Sequence, residues 1–467
     1  MPVSQIAVPS PAQIKAGLFP NGQKNAPILP AVWQARVLLT PPGGSTAAGA
    51  PVDELFAGIL TYDASGATLL LRAQLYGLES LKYYDLLFRS ENAGSLVWAL
   101  TSDPANPEAA PTGYGAPALS DVMVPARDAV SSQFAHAGSW KSVGVLSDAF
   151  SGSRTAQAST WIWCNAQTQA LRRIMSVTPS NDFGWAILGS FYFVDFVTID
   201  AMANSDLPAL SAEAPNPPPS PPLSLKTFPQ LAAALYGGAL RGAVCAFADV
   251  QRVLPGLMPA TSAPPAPTWT NTVRSQCYMI GQDSYPYYCQ LWYDWNKGCQ
   301  VTVFVQKGDD GEYDSRNDEF LPKGKTGPAI VYQWSGAQWV TACSQKDGGD
   351  VPMPVPDFVS AAHGRCRAVF KNSAYFGDLS IWTVALGDQA SWADFWYWFD
   401  SSQKGVVFSL DPASSLTLID YQTFDQNVAI DPNTFDDPTP TIPACGANNL
   451  MALTRRPKFK PPIPNDH

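Results

Sequence analysis

The sequence predicts a mostly β protein with a few helices, built from two tandem copies of one antiparallel unit. Residues 57–76 and 288–306 each hold an apolar run ending in a Tyr-Asp pair, a small polar turn ending in Gly, and a second β-rich run. This pattern is typical of a β-hairpin, because Gly supplies the positive φ that tight turns need. Further matched elements follow both hairpins in the same order, and Pro-rich segments separate the two series.

Composition and charge exclude several classes of protein. A chain of 467 residues is too long for one core, so two or three domains are expected. The net charge of −10 argues against nucleic acid as a partner. No uncharged apolar run of about 18 residues predicts a membrane span, and the N-terminus lacks the features of a secretory signal, so a cytoplasmic location is expected.

The cysteine and histidine content predicts no metal site. Eight cysteines without a CxxC pair and only three histidines are interpreted as free thiols in a reducing compartment. Cys289 and Cys299 belong to the second hairpin and are interpreted as buried thiols rather than a disulfide. His136 and His363 lie at matched places in the two copies, which favours a shared structural role over catalysis. Phosphate-binding, HExxH and GxSxG motifs are absent, which excludes the enzyme classes that these motifs mark.

The first domain is predicted to span residues 1–205. A short helix is expected over 12–18, and a second helix over 125–137, where Pro125 and Asp128 suit the first turn. The apolar, β-rich runs outside the hairpin are predicted strands: 33–40, 83–88, 96–101, 142–146, 160–165, 171–177 and 187–200.

A Pro-rich linker, residues 206–222, separates the copies as a stiff spacer. The second domain, residues 223–435, opens with an apolar helical stretch over 225–254. Its later elements match the first copy in order: a strand at 269–280, the hairpin, a strand pair at 332–343, a helix start at 355–363 and an aromatic hairpin at 395–408. Residues 436–467 form a Pro-rich tail with a basic end.

Few carboxylates lie near the aromatic hairpins, so Glu91 stands out. At the mouth of an apolar cavity its pKa would be raised and it could transfer protons near neutral pH; the alternative is a solvent-exposed turn residue. Arg72 and Arg89 either bind an acidic substrate or neutralise neighbours. Several aromatic residues suit stacking on a flat ligand and suit a core equally well: Trp33, Tyr62, Tyr76 and Trp163.

Four motifs carry a family resemblance: LPAVWQARV (29–37), LLLRAQLYG (69–77), LLFRSENAG (86–94) and VPARDAV (124–130). They resemble the lipoprotein-carrier (LolA/LolB-like) half-barrels and, within them, the violacein-biosynthesis enzymes that form prodeoxyviolacein. The resemblance implies two tandem curved antiparallel half-barrels, each wrapping a helix, with a ligand in the concave face and no metal or organic cofactor. By position, Glu91 matches the family's important glutamate, Tyr76 an aromatic of its pocket and Ser275 a pocket serine.

Two main functions are compatible with these features, beside a tandem lipocalin-like pericyclase and a purely structural or interaction protein. The first is a cofactor-independent enzyme of secondary metabolism that binds a reactive aromatic or polyketide-like intermediate and directs cyclisation, coupling or rearrangement, with Glu91 as the catalytic residue. The second is a non-catalytic carrier for a hydrophobic small molecule or lipid. A homodimer is left open. The predicted substrate-binding residues are Trp33, Tyr62, Arg72, Tyr76, Arg89, Trp163 and Ser275.

Overall fold

The computed structural model describes residues 24–40, 44–45, 51–52, 54–64, 69–91, 94–100, 112–116, 134–155, 158–178, 190–201, 242–280, 286–307, 313–321, 330–335, 338–344, 355–384, 395–400, 405–411 and 417–435. These residues form two 12-stranded antiparallel sheets and a two-stranded ribbon. The predicted fold class is confirmed: the protein is mostly β, and its two large antiparallel sheets are open rather than closed into barrels.

The strands of the first half are, in chain order, β1 (Val32–Thr40), β2 (Gly44–Ser45), β3 (Pro51–Val52), β4 (Phe56–Asp63), β5 (Leu69–Gly77), β6 (Lys82–Glu91), β7 (Gly94–Ala99), β8 (Thr112–Ala116), β9 (Ala135–Ser142), β10 (Val145–Thr155), β11 (Ala158–Asn165), β12 (Leu171–Thr178) and β13 (Ser190–Ala201). Their order in the first sheet is β8-β7-β6-β5-β4-β1-β13-β12-β11-β10-β9, and β2 pairs only with β3.

The later part of the chain contains β14 (Ala243–Val244), helix α1 (Phe247–Val253), β15 (Leu257–Met258), β16 (Thr272–Ile280), β17 (Pro286–Asp294), β18 (Cys299–Lys307), β19 (Tyr313–Leu321), β20 (Ile330–Ser335), β21 (Gln338–Ser344), helix α2 (Phe358–Ala361), β22 (Arg365–Ser373), β23 (Gly377–Val384), β24 (Phe395–Asp400), β25 (Val406–Asp411) and β26 (Thr417–Gln426). The second sheet has the order β21-β20-β19-β18-β17-β16-β26-β25-β24-β23-β22-β15, whereas β14 joins the first sheet beside β6.

The two sheets repeat one strand order and one register. In each, the central strand pairs with the hairpin on one side and with the last long strand of its half on the other. Tyr62 and Tyr293, from the two Tyr-Asp pairs, each pair with the central strand. On the other side of the central strand, each sheet has a β-bulge at the equivalent position, with Val197 of β13 and Gln422 of β26 as the extra residues. A bulge is a specific local feature, so its recurrence supports the duplication.

Two helix predictions and one strand prediction need correction. Residues 125–133 lie outside the described part of the chain, but 135–137 belong to β9, where burial alternates with period two through Gly138, Trp140 and Ser142. The predicted strand at 142–146 is instead a turn joining β9 to β10, with positive φ at Val143 (46°) and Gly144 (76°). Of the predicted helix over 225–254, the described residues show only α1 as helix, because β14 pairs with β6.

Each sheet uses its two faces differently. One face of the first sheet, the inner face, is apolar and includes Trp33, Tyr62 and Phe150. The opposite, outer face packs partly against the second sheet in a sheet junction whose aromatic side chains include Trp140, Trp161, Trp163, Phe370, Trp396 and Trp398. Helix α2 packs on the second sheet through Phe358 and Val359.

Candidate functional site

The structure separates the predicted substrate-binding residues onto three surfaces. Trp33 and Tyr62 stack on the inner face of the first sheet, with ring centroids 5.0 Å apart, and both are fully buried. Trp163 is buried in the sheet junction. Ser275 lies in β16 of the second sheet, also buried. These four residues therefore do not form one site.

Arg72 and Tyr76 do come together, on the outer face of β5 and β6. Along β5 the residues Leu71, Ala73 and Leu75 belong to the inner face, so the alternate residues project to the outer face. Cross-strand pairing sets Tyr76 opposite Tyr83. We call the set Arg72, Gln74, Tyr76, Tyr83 and Asp85 the outer-face cluster.

Hydrogen bonds join the polar members of the outer-face cluster into one row. Arg72 donates from Nε to Asp85 Oδ1 (2.9 Å) and from Nη2 to Asp85 Oδ2 (2.7 Å), a bidentate pair. Tyr83 donates its hydroxyl to Asp85 Oδ2 at 3.0 Å and accepts from Gln74 Nε2 at 2.9 Å. The ring of Tyr76 lies 4.8 Å from that of Tyr83. The row is therefore held in a defined geometry while staying partly exposed.

The segment after the linker borders this cluster. Strand β14 pairs with β6 at Lys82 and Tyr83, and the backbone N–H of Cys245 donates to Leu81 O at 2.9 Å. Helix α1 follows directly, beside β4. Partly buried apolar residues accompany Tyr76 here: Ile59, Leu78, Leu81, Cys245 and Phe247. The surface is thus amphipathic, with an apolar rim beside a polar row.

The electrostatics of the outer-face cluster suit recognition better than proton transfer. Burial, and after it the charge of Asp85, raises the pKa of Tyr83. Burial also raises the pKa of Tyr76, and the charge of Asp249 adds to this. Both phenols are therefore neutral near pH 7. The Asp85 carboxylate already accepts three hydrogen bonds, so it is poorly placed to act as a general base.

The β5 residues of the polar row differ between the two copies. Because Tyr62 pairs with Leu71 and Tyr293 pairs with Gln300, position 72 corresponds to 301, 74 to 303 and 76 to 305. The second copy therefore has Val301, Val303 and Val305 where the first has Arg72, Gln74 and Tyr76. On the neighbouring strand the equivalents of Tyr83 and Asp85 are Arg316 and Asp318, so the difference between the copies lies in the three β5 residues.

Arg89 and Glu91 lie further along β6. Arg89 is opposite Leu70 of β5 and is partly exposed. Glu91 is the last residue of β6, opposite Gly94, and its side chain lies outside what the structure describes. Its predicted catalytic role therefore stays a prediction.

Sequence reasoning missed a second polar cluster, centred on buried Asp148 of β10. Both Asp148 oxygens accept from Lys24 Nζ, at 2.7 and 2.8 Å, and Ser139 Oγ donates to Oδ1 at 2.6 Å. His136 Nε2 lies 3.5 Å from Ser139 Oγ and 3.9 Å from Asp148 Oδ1. Burial would raise the pKa of Asp148, but hydrogen bonds from Lys24, Ser139 and Gln169 lower it below the usual value. In the sequence, only the matched positions of His136 and His363 in the two copies point to this cluster.

The described residues contain neither a metal-binding cluster nor a membrane-spanning helix. Within those ranges, no three His, Cys, Asp or Glu side chains come together in a way that could hold a metal ion. None of the described helices is long and apolar enough to cross a membrane.

Comparison with known proteins finds similarity only among solved structures. No family model and no curated protein matches the chain. The Pseudomonas aeruginosa MucA/MucB complex matches with 12% identity and a TM-score of 0.20, covering 68% of this chain and 85% of that chain. A DUF1329-family protein from Desulfovibrio piger matches with 9% identity and a TM-score of 0.23, covering 40% and 92%. These scores are too low to assign a family.

Proposed function

We propose that the protein binds an amphipathic small molecule with a flat aromatic part at the outer-face cluster, as a carrier rather than an enzyme. The observation that carries this proposal is the bonded row of Arg72, Gln74, Tyr83 and Asp85 beside the partly exposed ring of Tyr76. Small-molecule sites combine an apolar and aromatic lining with a few placed polar groups, and this surface has that composition.

The geometry divides the ligand into two parts. The ring of Tyr76 and the apolar rim beside helix α1 suit a flat hydrophobic body. Arg72 and Gln74 are hydrogen-bond donors fixed by their partners, so they suit a polar or acidic group at one end of the ligand. The sequence resemblance to lipoprotein-carrier half-barrels supports a carrier role, although in that family the ligand lies in the concave face.

A cofactor-independent enzyme is the second candidate, and one observation favours it. The side chains of Lys24, Asp148, Ser139 and His136 form a continuous chain of polar contacts, and such a chain can relay protons. A role like that of the violacein-biosynthesis enzymes, with Glu91 as the catalytic residue, belongs to this candidate.

Mass spectrometry of small molecules released from the purified full-length protein tests the proposal. We expect an aromatic, amphipathic molecule from the wild type and much less of it from Tyr76→Ala. Tyr287→Ala, which removes a partly exposed tyrosine of β17 in the second sheet, is the matched control and should retain the molecule.

Returning the released molecule to fresh protein separates the two candidates. Recovery of an unchanged mass supports binding, whereas a new product mass supports catalysis and contradicts the carrier role. If the wild type releases nothing and binds no aromatic probe saturably, the proposed function is wrong.

A further inference from the structure

A β-bulge in β12 directs two successive arginines toward the second half of the chain. Trp163 of β11 pairs with Arg173 and Cys164 with Leu171, so Arg172 is the extra residue of the bulge. The guanidinium of Arg173 lies 4.2 Å from the ring centroid of Phe408. That of Arg172 lies 4.3 Å from the ring centroid of Tyr375. Bulges commonly re-aim side chains in this way beside functional sites.

The two arginines differ in what they bind. Arg173 donates to both oxygens of Asp195, at 2.7 and 3.1 Å. Arg172 has no carboxylate within ion-pair distance among the described residues, and its Nε and Nη2 are buried without a hydrogen-bond partner. The Tyr375 hydroxyl lies 2.9 Å from both the backbone carbonyl oxygen of Arg172 and Asp195 Oδ1, and it accepts no hydrogen bond from Nε or Nη2 of Arg172.

The unfilled edge of Arg172 has the geometry of an oxyanion site. Nε and Nη2 form one side of the planar guanidinium, and two parallel N–H donors on one side are what a carboxylate accepts in a bidentate pair. Arg173 uses this same edge, Nε and Nη2, to hold Asp195. A buried charged donor without an acceptor destabilises the protein. An anion that accepts hydrogen bonds from Nε and Nη2 of Arg172 removes this cost, which favours its binding.

The second copy has no such arginine. Trp398 of β24 pairs with Phe408 and Phe399 with Val406, so Val407 occupies the bulge position equivalent to Arg172. The bulge can therefore form with an apolar residue at this position and does not require an arginine. The positive charge of Arg172 is therefore not explained by the geometry of the bulge.

We propose that Arg172 is the anchor of a second binding site, separate from the outer-face cluster, for a molecule that carries a monocarboxylate. A single guanidinium without a carboxylate partner matches one negative charge. The aromatic surroundings formed by Tyr375 and its neighbour Phe376, with ring centroids 4.6 Å apart, suit an apolar body attached to that carboxylate.

Thermal unfolding of the full-length protein in sodium benzoate tests the site, with sodium chloride at equal ionic strength as the reference. We expect a saturable rise in Tm in benzoate alone. Arg172→Gln should abolish the rise in Tm. Arg172→Lys keeps the positive charge but loses the two parallel N–H donors, so it should raise the half-saturating benzoate concentration at least about tenfold. Arg36→Gln, which removes an exposed arginine of β1, should leave the rise unchanged.

Equal Tm curves in benzoate and chloride for the wild type would show that water alone fills the site and would overturn the proposal, as would an undiminished rise in Arg172→Gln. If that variant does not fold, the arginine Nε–H signals of the ¹⁵N-labelled wild type give the answer. Benzoate should then shift one buried signal saturably, and no shift in any signal would refute the site.

Discussion

Asp195 and Asp420 occupy equivalent positions in the two sheets and meet at the guanidinium of Arg173 across the sheet junction. Arg173 Nε lies 2.7 Å from Asp195 Oδ1, and Nη1 lies 3.9 Å from Asp420 Oδ1. Each carboxylate also receives a hydrogen bond from the opposite half: Tyr375 donates to Asp195 and Trp140 to Asp420, both at 2.9 Å. Such reciprocity is the pattern of a two-fold interface, here inside one chain.

The buried pair at this junction is expected to dominate its stability. Asp195→Asn removes the carboxylate that Arg173 binds directly and leaves the buried guanidinium with only the more distant Asp420, so we expect a loss of about 3–5 kcal/mol in the free energy of unfolding. Asp425→Asn is the matched control, because the Arg274–Asp425 pair is 53% and 42% exposed. It should cost less than about 1 kcal/mol. Urea denaturation measures both, and equal losses would contradict the central role of the junction.

Asp420 should make stability fall as pH rises. Its burial raises its pKa to about 6, against the attraction of Arg173, which lowers it. Because the folded pKa exceeds the unfolded one of about 3.9, the folded state binds the proton more tightly. This contribution is full below about pH 4 and is lost as the pH rises through about 6.

Comparison of wild type with Asp420→Asn isolates that effect. Between pH 4 and pH 7, the free energy of unfolding of the wild type should fall relative to the variant by an amount on the order of 3 kcal/mol. Urea midpoints at four pH values suffice. A constant difference between the two proteins would show that Asp420 does not titrate in this range.

The cysteines should differ widely in reactivity. Burial raises the pKa of Cys164 to about 12, and burial raises that of Cys277 well above its usual value. Cys289 lies opposite Cys277 rather than beside Cys299, and all are free. With iodoacetamide at pH 8, partly exposed Cys299 should be alkylated in the native protein, while Cys164 and Cys277 react only after unfolding. Peptide mass spectrometry over time reports this, and rapid native labelling of Cys164 would refute it.

Local sequence predicted the hairpins well and the connections poorly. Each hairpin is defined by local sequence: a Tyr-Asp pair, a turn that contains Gly, and an apolar run on either side. The pairs are Tyr62-Asp63 and Tyr293-Asp294. The turn at Val143 carries no such signal, since a β-branched residue rarely adopts positive φ, and its two strands were misassigned. Tertiary pairing of β14 with β6 likewise overrides a helical pattern.

The candidate site could be predicted only in part. Alternation along β5 places Arg72 and Tyr76 on one face, and the sequence names both as substrate-binding candidates, a role that stays a prediction. Their partners Tyr83 and Asp85 depend on cross-strand register, which the sequence did not specify. The contact between Tyr375 and Asp195 joins residues 180 positions apart, and no local pattern signals it.

Arg72 should contribute to binding more than to folding. Arg72→Met removes the donor of the bidentate pair, but Arg72 is 20% exposed and Asp85 keeps the Tyr83 hydroxyl, so we expect a stability loss of only about 1–2 kcal/mol. Affinity for an acidic aromatic ligand should fall about tenfold or more. Arg274→Met, at an exposed arginine of β16, should change neither quantity by much. Unchanged affinity in Arg72→Met would remove this residue from the site.

The most direct test is a fluorescence titration with 8-anilinonaphthalene-1-sulfonate, an amphipathic aromatic anion. If the ligand lies on the outer-face cluster, Tyr76→Ala should weaken the dissociation constant at least about tenfold while Tyr287→Ala leaves it unchanged. Equal dissociation constants for wild type, Tyr76→Ala and Tyr287→Ala would contradict the placement of the site.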